Sequence, residues 1–192
     1  MSTTWHYGDP EDGILTVTIE QADKPVNSLS KATLEELSKL LKHAESDPNI
    51  KGVLFVSGKE GNFIAGADVN QFKEVQSPQE AREISQFGHR VFQQLEDLSK
   101  PTVALISGSC LGGGLEFALC CDYRIADDRP KTVIGLPEVK LGIIPGWGGN
   151  VRLPQTIGLA AALPMILTGR MLNGRQAKSK GLVHDCVPRE AL

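Results

Sequence analysis

The sequence predicts an α/β fold, on three observations. Apolar runs of strand length and β-branched content recur along the chain: ILTVTIE (Ile14–Glu20), KGVLFVSG (Lys51–Gly58) and PTVALIS (Pro101–Ser107). Longer segments between them carry apolar residues at helical spacing. The resulting order is strand–helix three times over. Strands joined by helices imply right-handed crossovers and a largely parallel sheet.

The first strand, Ile14–Glu20, alternates apolar and polar residues. KPVNSLS (Lys24–Ser30) reads as a loop ending in a good helix cap, Ser30. From Lys31 to Glu45, Leu34, Leu37, Leu40, Leu41 and Ala44 form one face of a helix. Asp47-Pro48 stops it, because the residue before proline avoids the helical region. Lys51–Gly58 is continuously apolar, as in a strand buried on both faces. The loop Lys59–Phe72 follows, with Ala65-Gly66-Ala67-Asp68 inside it. That tetrapeptide is either a tight turn with Asp68 as a helix cap or a backbone N–H donor facing a ligand.

A second helix opens at Pro78 and runs to about Leu98, with Ile84, Phe87, Val91, Leu95 and Leu98 on one face. After the strand ending at Ser107 comes Gly108–Ala118, GSCLGGGLEFA, a glycine-packed turn leading into a mostly buried helix. Glycines let a backbone approach a ligand closely. The first N–H groups of a helix have no intrahelical acceptor and carry partial positive charge. Together they suit an oxygen that is or becomes negative. Glu116 falls in the first turn of that helix among Leu115, Phe117, Ala118 and Leu119. Such neighbours bury the carboxylate, and burial raises a carboxyl pKa into a range useful for acid–base chemistry.

Further on, a short strand ends at Leu136, and Glu138 follows Pro137 directly. GIIPGWGG is a turn that shapes itself around something or simply reaches the next helix. Asn173 is a candidate cap for a helix over Gly174–Lys180, with Gly181 just past its end, and Leu182–Val187 is a last strand. No sequence repeat of fixed period and no linker divides residues 1–192, so one domain is expected.

Composition narrows the function. With 41% hydrophobic and 22% charged residues, a soluble globular protein is expected. A net charge of −3 leaves no footprint for nucleic acid or an anionic membrane. No run reaches the ~18 apolar residues of a membrane span, and MSTTWHYGDPEDG is no secretory signal. Cys110, Cys120, Cys121 and Cys186 lack metal or redox spacing and read as reduced core thiols. A cytoplasmic protein of a bacterial cell is the expectation.

Glu116 and Glu138 lie on different elements, so nothing local forces them together. They are either two unrelated charges or a pair around one water, one ionised to accept a proton and one protonated to donate it. Such a pair suits addition of water to a carbonyl-conjugated alkene whose oxygen rests between two N–H donors. His6, His43, His89 and His184 have no metal spacing, and no metal site is expected. GSCLG is not the nucleophile elbow of a serine hydrolase.

These segments carry a resemblance. KPVNSLS, GNFIAGADVNQF, PTVALISGSCLGGGLEFALCCDYRIA, IGLPEVKLGIIPGWGGNVRL and ILTGRMLNGRQAKSKGLV occur in the order found in the enoyl-CoA hydratase/isomerase, or crotonase, superfamily. The chain looks most like the N-terminal hydratase region of the multifunctional fatty-acid β-oxidation α subunit. The resemblance implies a ββα spiral, C-terminally truncated, with residues 1–192 as a fragment of a longer multifunctional chain. It implies a lyase that hydrates trans-2-enoyl-CoA, with Glu116 activating water and Glu138 delivering a proton to the α-carbon. It implies an oxyanion hole at the N–H groups of Ala67 and Gly113, and a CoA-lining segment at Ala65, Asp68, Val69 and Asn70. No cofactor is implied, since coenzyme A is part of the substrate. Implied partners are the acyl-CoA, further copies in a trimer-type homo-oligomer, or a thiolase subunit.

There are departures from the pattern. Asn150 and Val151 replace the usual Thr and Gln, Pro164 predicts a kink or a helix start, and DDRPKT (Asp127–Thr132) is slightly long and could shift Glu138. The chain stops at Leu192 where relatives continue into C-terminal helices. Alternative readings are an acyl-CoA-binding assembly module without turnover, an enoyl-CoA isomerase, and, with less support, a serine peptidase of the related spiral fold.

Overall fold

The structure is a computed structural model and describes residues 4–68 and 75–192. Its strands are β1 (Trp5–His6), β2 (Ile14–Ile19), β3 (Gly52–Ser57), β4 (Asn62–Ile64), β5 (Thr102–Ile106), β6 (Ser109–Leu111), β7 (Tyr123–Asp127), β8 (Val133–Gly135), β9 (Met171–Asn173) and β10 (Asp185–Val187). Its helices are α1 (Lys31–Ser46), α2 (Pro78–Glu96), α3 (Gly113–Cys120), α4 (Gly149–Ile157), α5 (Leu159–Thr168) and α6 (Gly174–Ser179). Short 3₁₀ turns cover Glu138–Leu141 and Arg189–Ala191.

The strands form two sheets. The larger has the order β1-β2-β3-β5-β7-β10 and is parallel throughout except for β1 against β2. The smaller has the order β4-β6-β8-β9, with only β8–β9 antiparallel. Each of β3, β5 and β7 hands the chain within a few residues to β4, β6 or β8 in the other sheet, and helical structure then returns it. This is the ββα spiral that the resemblance implied.

Local chemistry explains the main elements. In β2, Leu15, Val17 and Ile19 are fully buried while Ile14 faces outward, which is the alternation read from the sequence. At α1 the Ser30 side chain accepts from the Thr33 amide at 3.2 Å, and Thr33 Oγ1 accepts from the Ser30 amide at 2.7 Å. That reciprocal cap satisfies two otherwise orphaned donors. Ser77 caps α2 and Pro78 occupies its first turn.

The core converges on α3. All eight of its residues are buried. Phe117 lies at the centre of a ring cluster, with centroids at 5.0 Å to Phe55, 5.6 Å to Trp5, 6.1 Å to Phe92 and 6.2 Å to Phe63. The helix packs against β4 at Gly114, where a methyl group would come within 2.2 Å of the Ile64 carbonyl oxygen.

Several expectations need correction. The simple strand–helix alternation missed β4 and β6, each three residues long. β6 runs through what read as a glycine turn. Residues of β3 are not buried on both faces: Leu54, Val56 and Ser57 stay half-buried. On α2 the buried face is Gly88, Val91, Phe92 and Leu95, while Ile84 is half-buried because it borders a cavity. The last strand begins at Asp185 rather than Leu182. Pro164 marks no helix start, since α5 begins at Leu159 and continues past it to Thr168.

Candidate active site

A cavity of about 580 Å³ opens between α2, the loop carrying Ala67, the N-terminus of α3 and the segment 137–147. Among the described residues that line it, Glu116 and Glu138 are the only titratable side chains. Most of the rest of the wall is apolar, including Val75, Ile84, Leu141, Ile143 and Ile144.

Two backbone amides border this space. Ala67 forms a parallel bridge with Leu29, in which Leu29 donates to Gly66 O and accepts from Asp68 N, both at 2.8 Å. In such a bridge the middle residue turns its own amide away from the partner. Gly113 begins α3, behind Gly112 at φ 53°, a conformation that favours glycine. A methyl group on Gly113 would lie 3.4 Å from the Ala67 nitrogen, so the two amides are close neighbours. Neither donates to an acceptor among the described residues.

Glu116 is 2% exposed. Its Oε1 accepts from the Trp147 amide and the Gly149 amide, each at 2.8 Å. Burial pushes its pKa up to about 7, against the pull of those two N–H groups; the neighbouring charge of Glu138 adds to the rise. Glu138 opens the 3₁₀ turn after Pro137, and its Oε1 faces the glycine turn, 3.1 Å from where a methyl group on Gly112 would stand. Its Oε2 is buried with no hydrogen-bond partner. Burial raises the pKa of Glu138 too. The two carboxyls therefore differ: one is held by two donors, the other has an unused oxygen. The length of Asp127–Thr132 does not take Glu138 out of the cavity.

The other candidate residues are distributed around this centre. Ala65 and Ala67 line the cavity, and the Ala65 amide donates to Asn27 O at 2.8 Å. Asp68 pairs with Lys24 Nζ at 2.8 Å, outside the lining. Val69 and Asn70 lie outside the described residues. Ser107 accepts from Arg129 at 2.7 Å, and neither it nor Ser109 lines the cavity, which leaves the peptidase reading without a site. Among the described residues, no group of His, Cys, Asp and Glu side chains could hold a metal ion. No described helix is long and apolar enough to cross a membrane.

Sequence reading missed the loop that holds Glu116. Trp147 and Gly149 supply its donors, and Arg152 braces the same loop by donating to Trp147 O at 3.1 Å. The signal was GIIPGWGG, a turn with no visible object. That object is the Glu116 carboxylate.

The sequence profile of the enoyl-CoA hydratase/isomerase family matches residues 9–192. Among curated relatives, the fatty acid oxidation complex subunit alpha of Idiomarina loihiensis is 44% identical over 182 residues, covering 95% of this chain and 26% of the relative. The protein of that name from Shewanella frigidimarina is 43% identical over 192 residues, covering 100% of this chain and 27% of its own length. The chain thus spans about a quarter of the length of these relatives. Among solved structures, an enoyl-CoA hydratase from Bacillus anthracis superposes with a TM-score of 0.89 at 34% identity, covering 97% of this chain and 71% of that one.

Proposed function

The chain belongs to the enoyl-CoA hydratase/isomerase family, and we propose that it adds water across the double bond of a trans-2-enoyl-CoA to give the 3-hydroxyacyl-CoA. One observation carries this reading: two carboxyls of different hydrogen-bonding status, and two adjacent amides that donate to no acceptor among the described residues, border one largely apolar cavity.

In this mechanism the thioester oxygen rests between the amides of Ala67 and Gly113. They stabilise the negative charge that reaches it as the β-carbon is attacked, an effect worth several kcal/mol at a preorganised site. Glu116, whose anion is supported by two N–H groups, takes a proton from water as the hydroxide oxygen bonds to the β-carbon. Glu138, buried and with a free oxygen, delivers its proton to the α-carbon. Water is thereby added whole. The proton on Glu116 and the vacancy on Glu138 are restored through solvent before the next cycle. No cofactor enters, coenzyme A being part of the substrate. In this reading Ala65, at the cavity wall, and Asp68, next to Ala67 in the chain, mark the CoA side of the site.

Conversion of trans-2-enoyl-CoA is followed by loss of the conjugated enoyl absorbance. Glu116→Gln and Glu138→Gln are each expected to lower turnover at least ~100-fold, the scale of one positioned acid or base. Unimpaired turnover in both variants overturns the mechanism. The raised pKa of Glu138 also suits a proton shuttle between α- and γ-carbons, so a 3-enoyl-CoA is the substrate that measures any isomerase share. Binding of acyl-CoA by calorimetry without hydration would favour an assembly module instead. The relatives are named as subunits of a fatty acid oxidation complex. We extend this to a place in fatty-acid β-oxidation, with a homo-oligomer of trimer type or a thiolase subunit as partner.

A further inference from the structure

The Gly146–Trp147 peptide is gripped at both ends. Its carbonyl oxygen accepts from Ser85 Oγ at 2.8 Å, and its N–H donates to Glu116 Oε1 at 2.8 Å. The next peptide is tied to the same helix by a second route. Trp147 O accepts from Arg152, and Arg152 donates to Glu96 Oε2 at 2.6 and 3.0 Å. Ser85 and Glu96 both belong to α2. The helix therefore holds the Glu116-binding loop at two points, and one of them is a neutral hydroxyl at the cavity wall.

From this geometry we infer that Ser85 is a positioning residue for Glu116, acting through the Gly146–Trp147 peptide. The inference rests on the proposed role of Glu116 as the base. A hydroxyl donating to a peptide carbonyl withdraws electron density from the amide. The N–H at the far end becomes a stronger donor, as in any chain of polarised hydrogen bonds. Here that N–H points at a carboxylate, so the Ser85 hydroxyl favours the ionised form of Glu116 and fixes the direction of its Oε1. A base needs both.

Among the described residues, the charged and titratable groups around Glu116 come from several elements packed on it. They are Glu138 from the 3₁₀ turn, Arg152 from α4 and Cys120 from its own helix, with Glu96 and His89 of α2 reaching it through Arg152. Replacing Ser85 by alanine or threonine changes none of these charges. A change in Glu116 titration then reports the hydroxyl alone.

The test is a titration by ¹³C NMR of glutamate side-chain carboxyls in the full chain, with Glu116→Gln identifying the signal. Ser85→Ala is expected to make Glu116 titrate about half a pH unit higher, and Ser85→Thr to restore it. Turnover follows in parallel. Ser85→Ala lowers kcat about 3–10-fold near neutral pH, with a smaller change in KM, and moves the acid limb of the kcat profile upward with the titration. An Ser85→Ala chain whose Glu116 titrates as in the parent overturns the inference, as does a threonine variant no better than alanine. Full turnover in Glu116→Gln would instead remove Glu116 as the base while leaving the NMR result to decide whether Ser85 positions its carboxylate.

Discussion

Arg124 donates to the Ala118 carbonyl at 3.2 Å, and so closes the C-terminal end of the helix whose first turn carries Glu116. The same guanidinium donates to Cys121 O at 2.6 Å and Leu182 O at 2.9 Å. It is 6% exposed, and no carboxylate lies within ion-pair distance of it among the described residues. Carbonyls at a buried helix end need donors, and here the guanidinium supplies them, sharing Ala118 O with the Cys121 amide. Arg124→Met keeps the volume and strands the Cys121 and Leu182 carbonyls. It should cost about 2–4 kcal/mol, seen as a lower urea midpoint with an unchanged slope. A midpoint equal to the parent's would mean the carbonyls find other donors.

Glu116 sets a pH dependence of stability. Its pKa rises from 4.5 to about 7 on folding. Between those values the folded chain keeps a proton that the unfolded chain has released, so stability falls as pH rises through the window. Glu116→Gln removes that loss, since its amide oxygen can still accept from Trp147 and Gly149. At pH 8 the variant should be more stable than the parent by up to about 3 kcal/mol, and near pH 4 the two should coincide. Urea unfolding at both pH values checks it; an equal gain at each would exclude the carboxylate charge as the cause.

The same group should shape turnover. If ionised Glu116 accepts the proton, kcat falls as pH drops below about 7. Burial displaces Glu138 upward from an ordinary glutamate, which favours the protonated form that delivers the proton. Profiles of kcat for the parent and the two Gln variants test the assignment. An acid limb at an ordinary carboxylate pH would sink it.

Two glycines should respond to alanine for different reasons. At Gly114 the new methyl meets Ile64 backbone at 2.2 Å, and neither α3 nor β4 has room to move. The cost should exceed about 3 kcal/mol. At Gly142 nothing lies within 4 Å, and only the φ of 72° opposes a side chain. That variant should lose about 1–2 kcal/mol. Thermal melting ranks them, and a reversed order would contradict the packing of α3 on β4.

Thiol reactivity should separate the cysteines. Cys110, Cys120 and Cys121 are buried, and burial pushes Cys120 up to about 12 and Cys110 and Cys121 well upward. Cys186 is only partly covered. A disulfide reagent should titrate at most one thiol rapidly in the native chain and all four in denaturant. More than one fast thiol would mean that α3 opens.

The sequence disclosed long elements better than short ones. The buried face of α1 is legible because Leu34, Leu37, Leu40, Leu41 and Ala44 repeat over about three turns. Asn62–Ile64 and Ser109–Leu111 are too short for any period, and their pairing partners are far away in sequence. The spiral repeats in space without repeating in sequence, since its three coils differ in length and helix content. At the site, the burial of Glu116 follows from its neighbours, whereas its donors are backbone groups that any residue could supply. Nothing in the sequence marks Ser85, and only the tertiary arrangement gives its hydroxyl a target.

Glu116 and Phe117 are consecutive, and the ring of Phe117 is wedged among four other aromatic side chains. The carboxylate is thus anchored to a helix whose next side chain is fixed by four ring contacts. Adjustment of the chemistry over time would have to come from the loops that face the carboxylate, because the helix beneath it has no slack to give.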